Sequence, residues 1–404
     1  MFTLPKIASA MLALGAFRGA YAGFDPNAKT NVVVYWGQNS HGQGSGPEAQ
    51  QRLGYYCKNY PEIDVIPLAF VTVISDQNGL PQMNFANQGC NVFPGTNTMN
   101  CPDIANDIHV CQNTYNKTIL LSLGGATYTQ GGFSSPSAAQ LAARMLWQTF
   151  GPLSSPYTTS LRPFSTAAID GFDLDFESAT SNMKPFADEL RRLMDTQPDG
   201  KRRFLTAAPQ CPYPDYADKD FLDGGSRVDA VFVQFYNNYC GVNSFVPGAA
   251  EQWNFNMHTW DDWARRIAGA RPNAKVLVGV PASSTAAGSG YLSPDRLRPV
   301  LEFSARFPSF AGVMLWDASQ MAANAPFVQS VKSVLEGVRA ADENAQLPLC
   351  RPEQGAQQQQ QQQQQQPMLE PAPQGRNASW GKREEDGGEE SVRARGARAE
   401  GELV

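Results

Sequence analysis

The chain has 404 residues, of which 42% are hydrophobic, enough to bury a large core in one to three domains. A formal net charge of -6 offers the phosphate backbone of nucleic acid no electrostatic partner, so nucleic-acid binding is excluded as an expectation. Beyond the first segment no stretch approaches the roughly 20 apolar residues of a membrane span, so no membrane span is expected either.

The N-terminus reads as a secretory signal. Lys6 supplies the charge, Ile7 to Phe17 is mostly apolar despite Arg18 just after, and Ala20-Tyr21-Ala22 fits a small-x-small cleavage site. Residues 1–22 are therefore the expected leader. Eight short β-type runs follow, at Asn31–Trp36, Val65–Val73, Thr118–Leu123, Gly171–Glu177, Arg203–Pro209, Ala230–Tyr236, Lys275–Val280 and Gly312–Trp316. Most are continuous apolar runs, as in strands buried on both faces of a parallel sheet. Between them lie segments with helical spacing, among them Ala138–Phe150, Met183–Met194, Thr259–Ala270, Pro294–Ala305 and Pro326–Ala340. The alternation predicts an α/β fold, a (β/α)8 TIM barrel with loop insertions over residues 23–350. A doubly wound open sheet is the alternative, but no glycine-rich phosphate turn opens the first helix. After Cys350 the character changes to an unbroken glutamine run, Gln357–Gln366, and then to alternating charge clusters such as REEDGGEE and RARGAR. Such a segment cannot bury enough apolar area to offset its ordering entropy, so 351–404 is expected to be a disordered tail.

The densest chemistry lies in Ile169–Ser178, IDGFDLDFES, with Asp170, Asp173, Asp175 and Glu177 in close succession. From Asp173 onward the period is two, which puts Asp173, Asp175 and Glu177 on one face of a strand and Leu174 and Phe176 on the other. Desolvating several like charges together is costly. A row of carboxylates sharing protons is what acid catalysis at a sugar bond requires. In a barrel, catalytic residues sit at the C-terminal ends of strands, where Glu177 falls. Asp170 lies off this face and is expected to fix the strand end.

Seven cysteines, at 57, 90, 101, 111, 211, 240 and 350, suggest disulfides in an exported protein, with the pairing open at this point. Metal binding is the alternative, yet no pair has C-x-x-C spacing and His41, His109 and His258 form no ligand-like cluster. Neither metal nor cofactor is expected. Asn116-Lys117-Thr118 and Asn377-Ala378-Ser379 are candidate glycosylation sites.

Six motifs in order carry a family resemblance: NVVVYWGQN at Asn31–Asn39, LSLGG at Leu121–Gly125, DGFDLDFE at Asp170–Glu177, AAPQCPYPD at Ala207–Asp215, QFYNNYC at Gln234–Cys240 and GVMLWDAS at Gly312–Ser319. The chain resembles glycoside hydrolase family 18, specifically the hevamine-like class III chitinases of fungi and plants, over about Asn31 to Ala340. The resemblance implies an endochitinase that cleaves β-1,4-linked N-acetylglucosamine in chitin and chitooligosaccharides, acting as a secreted monomer outside the cell or in its wall. It implies a retaining reaction in which the substrate's own acetamido oxygen is the nucleophile. Glu177 would be the acid and then the base; Asp175 would orient the acetamido group; Asp173 would hydrogen-bond Asp175 and share its proton; Tyr236 would hold the acetamido carbonyl. Gln234 and Asn237 would stand beside Tyr236, Trp316 would floor the sugar ring, and Tyr35, Gln38 and Phe70 would line the cleft, with Gly124 and Gly125 allowing close backbone approach. The implied disulfides are Cys57–Cys111, Cys90–Cys101 and Cys211–Cys240, with Cys350 left over. One departure is Phe176, where many relatives carry Trp; it points away from the acid face. The same scaffold also hosts lectin-like, storage and inhibitor proteins, and endo-β-N-acetylglucosaminidases that act on N-glycans.

Overall fold

The computed structural model describes residues 23–153, 161–266 and 274–346. The expected leader, the expected tail, Cys350 and Asn377 lie outside the described residues. The eight apolar runs become eight barrel strands: β1 (Asn31–Val34), β2 (Val65–Val73), β3 (Thr118–Gly124), β4 (Gly171–Asp175), β5 (Phe204–Ala207), β6 (Ala230–Gln234), β7 (Lys275–Pro281) and β8 (Phe310–Trp316). Each pairs in parallel with its sequence neighbours, and β1 pairs with both β8 and β2, so the sheet closes. Closure rules out the open-sheet alternative and identifies a (β/α)8 TIM barrel.

Alternate residues of these strands enter two different cores. Val33, Tyr35, Leu120, Phe232, Leu277 and Met314 pack inside the barrel, while Val32, Val34, Leu121, Val231, Val278 and Leu315 pack outward against the helices. Burial on both faces explains why the runs are continuously apolar rather than alternating. Phe24 meets Phe204 edge-on at 5.0 Å and joins the inner cluster near the strands' N-terminal ends.

Helices stand between strands where expected. Pro136–Phe150 begins on a Ser135 cap, whose Oγ accepts the Ala138 N–H at 3.2 Å, with proline in the first turn, where its missing N–H costs nothing. The run expected from Thr259 starts at Met257 and is described to Arg266; residues 267–273 lie outside the description. The final helix runs Phe327–Gln346, beyond the expected Ala340. Sequence periodicity did not register the insertion after β2, where Gln82–Met83 adds antiparallel to β2 and Asn91–Val92 pairs with Met99–Asn100. Two-residue strands are too short to show a period. The three implied disulfides are present: Cys57–Cys111, Cys90–Cys101 and Cys211–Cys240.

Candidate active site

The acids of β4 climb from the barrel's dry interior to its C-terminal mouth. Asp173 and Asp175 are buried; Glu177, just past the strand, is partly exposed. Leu174 and Phe176 face the helices, where Phe176 packs on Tyr128 at 5.0 Å between ring centroids. The alternation expected from sequence therefore holds through the acidic motif.

Asp173 sits in a cage of hydroxyls. Its Oδ2 accepts from Tyr35 Oη and Ser122 Oγ, both at 2.7 Å, and its Oδ1 accepts from Thr206 Oγ1 at 2.6 Å. Strand register builds this cage, since Ser122 and Thr206 lie directly opposite Asp173 on β3 and β5. Burial pushes the Asp173 carboxyl up, and the three donors pull it partway back. Three hydroxyls thus hold the Asp173 carboxyl in place. Asp175 Oδ1 instead accepts from Gln234 Nε2 at 3.0 Å, and that amide also donates to the Ala208 carbonyl at 3.0 Å.

Burial raises Asp175 well above the ordinary carboxylate range, and the charges of Glu177, Asp173 and Asp215 raise it further; the Gln234 amide opposes them. Glu177 is raised by desolvation and by Asp215, again with Gln234 pulling down. Carboxyls that raise one another in this way are expected to titrate together rather than singly. Burial and the same carboxylates keep the hydroxyls of Tyr35 and Tyr236 protonated far above the usual phenol range, so each is a standing donor.

Tyr35, Asp175, Glu177, Gln234, Tyr236, Asn237 and Trp316 converge on one cleft of about 180 Å3, together with Ala126, Ala208, Ala286 and Met314. Other expected residues stand apart from that wall. Phe70 lies behind it, stacked on Trp316 at 5.9 Å and tilted on Tyr35 at 6.3 Å. Gln38 is engaged elsewhere, donating to the carbonyls of Ala69 at 2.8 Å and Asn84 at 3.0 Å, which ties the loop after β1 to β2. Gly124 and Gly125 do permit a close approach, but to the neighbouring strand. A Cβ on Gly124, at φ +116°, would lie 2.1 Å from the Asp175 carbonyl oxygen, and Gly125 N–H donates to that oxygen at 2.6 Å. Asn237 adopts a left-handed φ of 56°, and its Oδ1 accepts from Ser289 N–H at 3.1 Å. Asp170 caps the opposite end of β4, accepting from Ile119 N–H at 2.8 Å and Gln112 Nε2 at 2.9 Å.

Sequence reasoning did not single out Ser122, Thr206, Asp215 or Asp218. The first two carry a weak signal, a polar residue at an inward position of an apolar strand. Asp215 caps the turn after β5, accepting N–H groups from Gln210, Ala217 and Asp218 at 2.7–3.0 Å. Asp218 is fully buried with neither carboxyl oxygen partnered. Among the described residues no group of His, Cys, Asp or Glu could hold a metal ion.

The family model described as Glycosyl hydrolases family 18 matches residues 31–321. A class III chitinase of Arthroderma benhamiae is 46% identical over 337 residues, covering 83% of this chain and 94% of that protein. Endochitinase 33 of Trichoderma harzianum is 42% identical over 335 residues, covering 82% of this chain and 100% of that protein. Among solved structures, the xylanase and α-amylase inhibitor protein of Scadoxus multiflorus superposes with a TM-score of 0.59 at 27% identity, covering 75% of this chain and 98% of that one.

Proposed function

The chain belongs to glycosyl hydrolase family 18, and on that premise we propose that it is a secreted endochitinase that hydrolyses β-1,4-linked N-acetylglucosamine with retention. The observation that carries the reading is the graded burial of Asp173, Asp175 and Glu177 along one strand face, ending at the mouth of a cleft that contains Tyr236 and Trp316. Glu177, its carboxyl pushed up by burial, gives its proton to the glycosidic oxygen as the C1–O bond breaks. The substrate's acetamido oxygen closes on C1, and the departing chain leaves with the proton. Asp175 faces the resulting oxazolinium charge, and Tyr236 donates to the acetamido group. Glu177, now a carboxylate, takes a proton from the water that opens the ring at C1, which restores the acid. Asp173, itself held by three hydroxyls, contributes negative potential beside Asp175. Three disulfides and the leader-like N-terminus support export.

Glu177→Gln keeps shape and size while removing the proton donor. It is expected to lower kcat by at least about 10²-fold, within the range for general acid catalysis, while chitooligosaccharides still bind. Time-resolved NMR with an N-acetylglucosamine pentamer checks both points, because a retaining enzyme first releases the β-anomer. A wild type that binds the pentamer without cleaving it would overturn the catalytic reading in favour of a silent lectin or inhibitor. Cleavage of N-glycans in preference to the pentamer would instead redirect the substrate to glycoproteins.

A further inference from the structure

The motif Asn116-Lys117-Thr118 has no part in the cleft. It forms the turn between the helix Pro102–Asn113 and β3, at the N-terminal end of the barrel. Asn116 is exposed and adopts a left-handed φ of 51°, a conformation in which asparagine is enriched. Lys117 is buried, its Nζ donating to the carbonyls of Pro61 at 3.1 Å and of Ile63, and leaves the surface of the turn to Asn116. Beside Asn116 runs a groove of about 470 Å3 lined by Gln112, Asn113, Lys201 and Arg202, which offers a sugar both room and polar groups. From this turn β3 carries the chain to Gly124, opposite Asp175 in the register, a rise of about 20 Å. Glu177 follows Asp175 just past the end of β4, so Asn116 and Glu177 lie at opposite ends of the barrel.

We propose that Asn116 carries an N-linked glycan, attached during export before the barrel closes. The donor is an oligosaccharide joined to a lipid through pyrophosphate. The Asn116 amide nitrogen bonds C1 of the first N-acetylglucosamine as the C1–O bond to the pyrophosphate breaks. The lipid pyrophosphate leaves, and the proton lost by the amide passes to water. Transfer to Asn-x-Thr needs the asparagine amide and the threonine hydroxyl within reach of the transferase together. In the folded protein the hydroxyl is out of reach, because Thr118 is 7% exposed and its Oγ1 accepts the Phe24 N–H at 2.9 Å. Phe24 is held there by its edge-on contact with Phe204 of β5. Since β5 follows β3 in the chain, the hydroxyl stays free during synthesis until Phe204 arrives. The core of such a glycan contains the β-1,4 bond between two N-acetylglucosamines that the proposed reaction cleaves. At the far end of the barrel it neither obstructs the cleft nor reaches Glu177 of the same molecule. The proposal rests on the secretion part of that reading.

The test secretes the full chain from a yeast host and maps the purified protein's peptides before and after N-glycan release by peptide N-glycosidase in heavy-oxygen water. Release leaves a labelled aspartate at each occupied asparagine. Recovery from the medium checks the secretion reading by itself. The label is expected at Asn116 in the wild type and in Thr118→Ser, which keeps the hydroxyl. It is expected to be lost completely in Thr118→Ala and in Asn116→Asp, the latter suited to the left-handed turn but lacking the amide. An unlabelled and unmodified Asn116 in protein recovered from the medium would overturn the proposal. Isolated transferase that glycosylates the folded, unmodified enzyme as fast as the reduced, unfolded chain would overturn the order of events drawn from Thr118. A peptide bearing a single N-acetylglucosamine on Asn116 would still support the site, and would count against the chitinase reading in favour of an activity on N-glycans.

Discussion

Asp218 is the residue whose surroundings least suit its charge. It is fully buried, neither oxygen has a partner, and desolvation together with Asp215, Asp175, Asp173 and Glu177 pushes its carboxyl well above the ordinary range. The folded state therefore holds this proton more tightly than the unfolded state does. Stability from this group is complete below the ordinary aspartate pKa and declines as pH rises toward the folded-state value. Asp218→Asn keeps the shape and removes the charge. It should raise stability at neutral pH by at least about 1 kcal/mol, within what an unpartnered buried group costs, and should change little at strongly acidic pH. Thermal melts of both proteins at the two pH values check this, and an equal shift at both would refute the titration argument. Nothing in the local sequence around Asp218 announces the burial. DYADKDF reads as a polar turn, and only the barrel wall makes it interior.

At the scale of the element, β4 was legible because its period of two survives in one short motif, and the family motifs placed its chemistry. Its partners were not legible. Ser122 and Thr206 meet Asp173 because β3, β4 and β5 lie in one register, and register in a closed barrel is set by all its strands together. Gly124 displays the tightness of that register. An alanine there would meet the Asp175 carbonyl at 2.1 Å while holding φ at +116°, so the backbone carrying Asp175 would have to move. Gly124→Ala should cost more than about 3 kcal/mol, the regime of a backbone clash combined with a disfavoured φ. Denaturant unfolding measures this loss, and a cost below 1 kcal/mol, as for an ordinary surface change, would mean that the turn has more freedom than its geometry allows.

Across the whole molecule, the barrel is complete before the polar C-terminal segment begins. The final helix buries Val328, Val331, Val334 and Leu335, and its Lys332 bridges Asp64 at 2.9 Å and the Thr30 carbonyl at 2.9 Å, fastening the helix to residues beside β1 and β2. Each of the eight strands then has two neighbours and the cleft residues have all been supplied, the last of them Trp316. The glutamine run and charged clusters contribute little apolar area with which to add a further core. Truncation after Cys350 is accordingly expected to leave kcat/KM on soluble chitooligosaccharides unchanged within about twofold, since every residue lining the cleft lies upstream of it and the segment offers little apolar area. Melting temperature should be equally insensitive. A large loss of oligomer hydrolysis with an unchanged melting temperature would assign the tail a part in the reaction; a parallel loss of both would assign it a part in folding. Either result would contradict a barrel that closes on its own last helix.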